Sequence, residues 1–204
     1  MLRESLAATM TAQAHVYPAF LKLGGRKAVV VGGGPVAALK LGALIAAGAR
    51  VLVVAPDVGA EIERASVEIA HRAFRPDDLD DAWLVVAAAT PEVNRTVAAA
   101  AESRRVFVNA VDDPPNASLY LGGVVRRAGV TLAFSTDGQA PALAGLLREA
   151  FDAVLPAADL EQWMREAARQ RQQWRIDGVP MTKRRPALLD ALNRLYERET
   201  KIGE

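Results

Sequence analysis

The stretch Lys27-Ala28-Val29-Val30-Val31-Gly32-Gly33-Gly34-Pro35-Val36-Ala37 decides the fold. An apolar run breaks into three glycines and then a proline, which is the order strand, turn, helix start. The spacing is G-x-G-x-x-A: Gly32 permits the tight turn, Gly34 lets the backbone approach a pyrophosphate, and Ala37 keeps the helix close to the sheet. The N–H groups at the helix start are free for phosphate oxygens. Gly32, Gly33, Gly34, Pro35 and Val36 are therefore the expected dinucleotide-binding stretch.

Outward from this point the pattern repeats. Pro35 opens a helix through Leu39, Ala43 and Ala46, with Gly48 as its stop. Val51–Val54 is an apolar second strand, of the kind covered on both faces. A weaker helix (Val58 to Arg64) and strand (Val67 to Ala70) follow, then a fourth strand from Trp83 to Ala88. Thr90 reads as the cap of a helix running through Val97 and Ala101, and Val106-Phe107-Val108 as a fifth strand. Strands alternating with helices predict a Rossmann-like α/β fold on a parallel sheet. The alternation stops at Asp112-Asp113-Pro114-Pro115. A hairpin is predicted from Ser118 to Val125 and Val130 to Phe134, then a helix opened by Pro141, a helix from Leu160 to Trp174, a loop from Ile176 to Pro186, and a last helix from Leu188 to Tyr196. The predicted organisation is a mobile leader over 1–15, a nucleotide-binding domain over 16–112, a dimerisation segment over 113–150 and a small helical domain over 151–204.

The 204-residue chain carries 25 Lys and Arg against 24 Asp and Glu, a formal net charge of +1, so no overall field points to nucleic acid. There is no Cys and there are two His, which removes thiolate metal sites and leaves no metal-ligand spacing. Lys40 and Arg50 interrupt the longest apolar candidate for a membrane span. A cytoplasmic protein with no membrane partner is expected.

In a doubly wound sheet the ligand lies beyond the carboxyl ends of the strands. The segments predicted there are the glycine turn, Ala88-Ala89-Thr90 with Asn94 following, and Asn109-Ala110-Val111-Asp112. Spacing puts Asn94 on the helix surface, and leaves Asp112 open between a turn former and a catalytic acid. The second strand ends in Val54-Ala55-Pro56, without the usual ribose-binding acid. Asp57 reads as the cap of the next helix. With no Lys or Arg at that strand end to meet a 2′-phosphate, NAD is favoured over NADP.

Tyr17-Pro18-Ala19-Phe20, Val31-Gly32-Gly33-Gly34, Ala87-Ala88-Ala89-Thr90 with Asn94, Val108-Asn109-Ala110-Val111-Asp112, and Ser135-Thr136-Asp137-Gly138-Gln139-Ala140-Pro141 together resemble, in order and spacing, the precorrin-2 dehydrogenases, the dehydrogenase modules of sirohaem synthases. The resemblance covers roughly residues 16–150. The Cys-x-Phe segment and Phe-Pro pair frequent in that family are replaced by Asn116-Ala117-Ser118-Leu119-Tyr120-Leu121-Gly122-Gly123.

The resemblance implies NAD-dependent oxidation of precorrin-2 to sirohydrochlorin in sirohaem biosynthesis, by a homodimer with exchanged strands. It matches the family's key acid to Asp112, which partial burial would help to act as a base. In some relatives the same site also inserts Fe²⁺, so the bifunctional dehydrogenase and ferrochelatase is the alternative; a nucleotide-sensing module without chemistry is a further one. The implied cofactor set is Gly32, Gly33, Gly34, Pro35, Val36, Thr90, Asn94 and Asn109. A tetrapyrrole with many carboxylates needs cations at its rim. Arg126, Arg127, Arg148 and Lys183-Arg184-Arg185 are the candidates, with Ser135 and Thr136 as a second anion-accepting helix start.

Overall fold

The computed structural model describes residues 16–202, with side chains to Tyr196; the predicted leader over 1–15 lies outside the described residues. The described residues divide into two compact units, one of residues up to 121 with 137–139, the other of 122–136 with residues from 140 onward.

The first unit is built on five parallel strands, β1 (Lys27–Val31), β2 (Arg50–Ala55), β3 (Glu68–His71), β4 (Ala82–Ala87) and β5 (Phe107–Ala110), in the order β3-β2-β1-β4-β5. Because successive strand residues face opposite sides, the valines serve two cores. Val29, Val31 and Val85 pack with Val97 and Ala101 of α3 (Pro91–Arg104), whereas Val30, Val53 and Val86 pack with Ala37, Leu41 and Leu44 of α1 (Pro35–Ala46). Ala37, Leu41 and Leu44 are spaced so that one stripe of α1 meets the sheet. Gly48, at φ +74°, closes α1 as Ala49 N–H donates to Leu44 O at 3.1 Å.

The predicted helix between β2 and β3 shrinks to α2 (Ala60–Glu63), capped by Gly59. Asp57 is thus not its cap. After β5 the chain does not enter a strand at Ser118. The N–H groups of Ser118 and Leu119 both donate to Val108 O at 2.9 Å, and Ser118 Oγ accepts from Val108 N. Residues 118–121 are thereby laid along β5 as an irregular strap, with Leu119 and Leu121 against the α1-side core.

In the second unit β6 (Gly123–Arg127) and β7 (Val130–Phe134) form an antiparallel hairpin. Its tip, Ala128-Gly129, holds both residues at positive φ (+49° and +81°), as a two-residue primed turn requires. α4 (Pro141–Val154) lies on this hairpin. A Cβ on Gly123 would come within 2.8 Å of Ala144 O, and the rings of Phe134 and Phe151 meet at 5.1 Å. Arg127 fastens the helix end: its Nη1 donates to the carbonyls of Asp152 (2.8 Å) and Leu155 (2.6 Å), and its Nη2 to Asp152 Oδ1 (2.7 Å).

α5 (Ala157–Ile176) and α6 (Met181–Ile202) form a pair around Leu160 and Ala191, joined by Trp163 Nε1–H donating to Tyr196 Oη at 2.9 Å. Of the predicted loop from Ile176 to Pro186 only 177–180 is loop, since Ile176 ends α5 and Met181 starts α6. Pro186 lies inside α6, where it forfeits one hydrogen bond to the carbonyl four residues earlier. Lys183 N–H to Pro180 O (3.0 Å) and Arg184 Nε to Val179 O (2.9 Å) secure the turn ahead of it. Among the described residues no helix is long and apolar enough to cross a membrane.

Candidate functional site

The β1–β4 boundary is where strand order reverses, and a crevice is expected at the carboxyl ends there. A cavity of about 560 Å³ occupies that place, floored by Gly32, Gly33 and Gly34 and flanked by Val54 to Asp57, by Ala73 and Phe74, and by Ala88 to Thr90 with Val93 and Thr96. This size and its mostly apolar wall suit a small-molecule cofactor.

Each glycine of the floor has its own reason. Gly32 sits at φ +128°, and a Cβ there would lie 2.2 Å from Ala88 O. A Cβ on Gly33 would overlap the Asp57 carbonyl oxygen, at 1.9 Å, and approach Val58 Cα at 2.8 Å. Both therefore let loops close against the turn. Gly34 differs, since a Cβ there meets nothing of the protein within 4 Å and its φ of −83° suits any residue. Its bareness has no use in packing, and fits a group brought up to the backbone from outside.

Gly34 is also the N-cap of α1, and Ala38 N–H to Gly34 O (3.1 Å) is the first bond of the helix. The N–H groups of Gly34, Val36 and Ala37 precede it and have no intrahelical acceptor; Pro35, at the first helical position, contributes none. These amides are the donors available to phosphate oxygens.

The opposite rim is shaped by Thr90, which lines the cavity, and by polar side chains behind it. Asn94, expected on the surface of α3, is buried at 3% exposure, and its Oδ1 accepts from Ala89 N at 3.0 Å. It therefore holds the β4–α3 turn rather than facing solvent. Thr90 occupies the N-cap of α3 without a side-chain capping bond. The main-chain N–H of Glu92, followed by the Thr90 hydroxyl, holds the Glu92 carboxyl below the usual range. Behind the wall formed by Ala73 and Phe74, Asp78 is buried at 7% exposure. It accepts from Arg72 Nη1 and Nη2 (2.9 and 2.6 Å) and from Arg75 N (2.8 Å). The Arg72 guanidinium foremost, with the Arg75 amide, keeps this carboxyl below the ordinary aspartate value despite its burial. The network braces the 72–79 loop that presents Ala73 and Phe74. Sequence reading missed this brace, whose only signal was a paired arginine and aspartate either side of Phe74.

Asn109 is 8% exposed at the end of β5, donates from Nδ2 to Leu119 O at 3.0 Å, and leaves Oδ1 buried with no hydrogen-bond partner. Asp112 follows just past the strand at φ +56°, a conformation aspartate tolerates. Its side chain is exposed, not partly buried as the sequence suggested. Neither lines the cavity.

In the second unit Thr136 Oγ1 accepts from Ala140 N at 3.1 Å, just ahead of Pro141, and Ser135 is exposed beside it. Arg126 is exposed on β6, and Arg148 pairs with Glu149 at 2.9 Å. Arg127 is consumed in fastening α4, and Arg184 in starting α6. Among the described residues no cluster of three or more His, Asp or Glu is placed to hold a metal ion.

A family model described as putative NAD(P)-binding matches residues 19–123. Siroheme synthase 3 of Aeromonas hydrophila is 40% identical over 144 residues, 68% of this chain and 31% of that protein. Siroheme synthase 1 of Yersinia enterocolitica is 40% identical over 146 residues, 69% of this chain and 31% of that protein. The siroheme synthase of Nitrosomonas europaea is 39% identical over 147 residues, with the same shares of the two chains. The chain thus spans about a third of the length of the curated relatives it matches. A solved structure described as "SirC, precorrin-2 dehydrogenase" shares the fold, with a TM-score of 0.64 at 23% identity over 86% of this chain and 88% of that one.

Proposed function

Because the chain belongs to the putative NAD(P)-binding family, and within it to the modules shared with siroheme synthases, we propose that it oxidises precorrin-2 to sirohydrochlorin with NAD⁺. In this reaction a C–H bond of the substrate breaks with its electron pair leaving as hydride, a proton departs to a base, and a new double bond remains. Bound NAD⁺ supplies the hydride acceptor. The observation that carries the reading is 40% identity with a siroheme synthase in a chain whose glycine-floored cavity leaves Gly34 bare toward the ligand.

The chain's own residues divide the work. Gly34, Val36 and Ala37 offer amides to the pyrophosphate, while Gly32 and Gly33 allow the surrounding loops to close. Thr90, with the turn that Asn94 holds, would help to hold the cofactor at the β4 end of the cavity, and Asn109 fixes the strap beyond β5. Asp57 lines the cavity just past β2, where a carboxylate accepts hydrogen bonds from ribose hydroxyls and repels a 2′-phosphate; this supports NAD over NADP. Asp112 is the base that takes the proton. Arg126 and Arg148, with Ser135 and Thr136 at the start of α4, meet substrate carboxylates.

In this reading residues 16–112 bind NAD, 113–150 dimerise and 151–204 form the helical domain of a cytoplasmic homodimer. The dimer is supported by α4, on which Leu143, Leu146 and Val154 stay exposed; an apolar strip of that kind is what a second copy would cover. The test is anaerobic incubation with precorrin-2 and NAD⁺, following NADH absorbance and the sirohydrochlorin spectrum together. Absence of NADH formation rejects the proposal.

A further inference from the structure

We propose that the exposed groove along α5 binds carboxylates of the tetrapyrrole substrate, with Arg171 and Arg175 as their cationic partners. This rests on the reaction proposed above and assigns part of its substrate recognition to residues outside the motifs. The groove has a volume of about 670 Å³, and Met164, Ala167, Ala168, Arg171, Gln172, Arg175 and Ile176 line it. Their spacing places them on one side of the helix. Methionine and two alanines make a low apolar floor at one end, and Arg171, Gln172 and Arg175 stand at the other beside the apolar Ile176. A flat apolar ring edged by carboxylates is complementary to both parts.

The charges on this side are unmatched. Elsewhere in the second unit Arg127 pairs with Asp152, Arg148 with Glu149, Arg165 with Glu161 and Arg169 with Glu166. Among the described residues Arg171 and Arg175 have no ion-pair or hydrogen-bond partner. They stand one turn apart, where like charges destabilise a helix. Arg175 lies in the last turn and gains from the helix dipole; Arg171, a full turn earlier, has no such compensation. An arrangement that is unfavourable in the free protein becomes favourable when an anion bridges the two guanidinium groups, each able to hold a carboxylate through two N–H donors. An acidic partner protein is disfavoured by the narrowness of the positive charge, two adjacent side chains bordered by Glu166 and Asp177 on the same helix and its cap.

The test compares wild type with Arg171→Ala/Arg175→Ala and Arg171→Lys/Arg175→Lys, measuring KM for precorrin-2, kcat, NAD⁺ affinity, melting temperature and self-association. The alanine pair is expected to raise KM about tenfold with kcat and NAD⁺ affinity within about twofold, since two partly exposed charge pairs are lost. The lysine pair should lie between. Added salt should raise the KM of wild type more steeply than that of the alanine pair. The melting temperature should hold or rise, because a repulsive pair is removed; a purely structural role would lower it. Wild type without turnover rejects the reaction itself. Turnover in wild type with an unchanged KM in the alanine pair overturns the groove assignment, as does an unchanged KM accompanied by weakened self-association.

Discussion

Replacing Gly34 and Gly33 separately by alanine distinguishes a glycine kept for the ligand from one kept for the fold. At Gly34 the backbone, φ −83° and ψ −178°, is open to alanine, and the added methyl meets nothing of the protein within 4 Å. Restricting the unfolded chain contributes about 0.4–1 kcal/mol of stability. Alanine is a poorer N-cap than glycine by a comparable amount. The net change is within about 0.5 kcal/mol, or about 2 °C for a domain of this size. The methyl, however, enters the cavity beside the phosphate-binding amides. Loss of one charge-assisted N–H bond, worth about 1.5–3 kcal/mol, weakens the dinucleotide by about tenfold to 150-fold. At Gly33 the same methyl would overlap the Asp57 carbonyl and press on Val58 Cα, both backbone atoms that cannot swing aside. Overpacking of that kind costs about 3 kcal/mol, a fall of about 6–12 °C. Thermal unfolding with and without NAD⁺, together with direct titration of the cofactor, reads both effects. A Gly34→Ala protein that binds NAD⁺ like wild type, or melts as low as Gly33→Ala, refutes the reasoning.

Asp112→Asn should lose precorrin-2 turnover by at least about a hundredfold while keeping NAD⁺ affinity, as removal of a general base does; near-normal turnover removes Asp112 from the mechanism. Asp57→Asn, which keeps the shape but drops the charge at the β2 end, should narrow the preference for NAD⁺ over NADP⁺ by about tenfold, read from the two kcat/KM values. Asp78 has its folded pKa depressed by Arg72, so its contribution is present above the unfolded aspartate value and lost as pH falls through the folded one. Wild type should therefore lose stability between about pH 4 and lower values, and Asp78→Asn should show a flatter fall there, with a cost of about 2 kcal/mol at neutral pH by chemical denaturation. Arg127→Ala leaves the Asp152 and Leu155 carbonyls and the Asp152 carboxylate without their donor. Faster amide exchange in the last turn of α4, with β1 to β5 unaffected, is the expected signature.

The β1 strand, the glycine turn and the first turn of α1 were legible because each depends on residues next to one another: a valine run, glycines and a proline at the first helical position. Gly34 could be read for the same reason. The need for Gly33 could not, since it comes from the Asp57 carbonyl more than twenty residues away, an approach that no local pattern announces. Leu119-Tyr120-Leu121 has strand composition, yet Ser118 and Asn109 tie it along β5 before a hairpin can begin. At Pro186 local punctuation was outweighed. Packing of α5 on α6 and the bonds at Pro180 and Val179 hold a helix through a residue that favours its end. Arginines were the least legible. The sequence shows where they are, but only the fold separates Arg127 and Arg184, engaged by carbonyl oxygens, from Arg126, Arg171 and Arg175.

Proline at the first turn of α1 has a kinetic consequence. In the proposed reading phosphate recognition is left to a few main-chain amides, since among the described residues no Lys, Arg or His lines the cavity. Main-chain donors do not titrate, and among the described residues the charged side chain in the cavity wall is Asp57. In the same reading the substrate carboxylates are met by guanidinium groups, whose attraction is screened within about 8–10 Å at physiological salt. If the proposed sites hold, the two reactants are met by different means, neutral backbone donors for one and screened cations for the other, so added salt weakens capture of the substrate more than that of the cofactor.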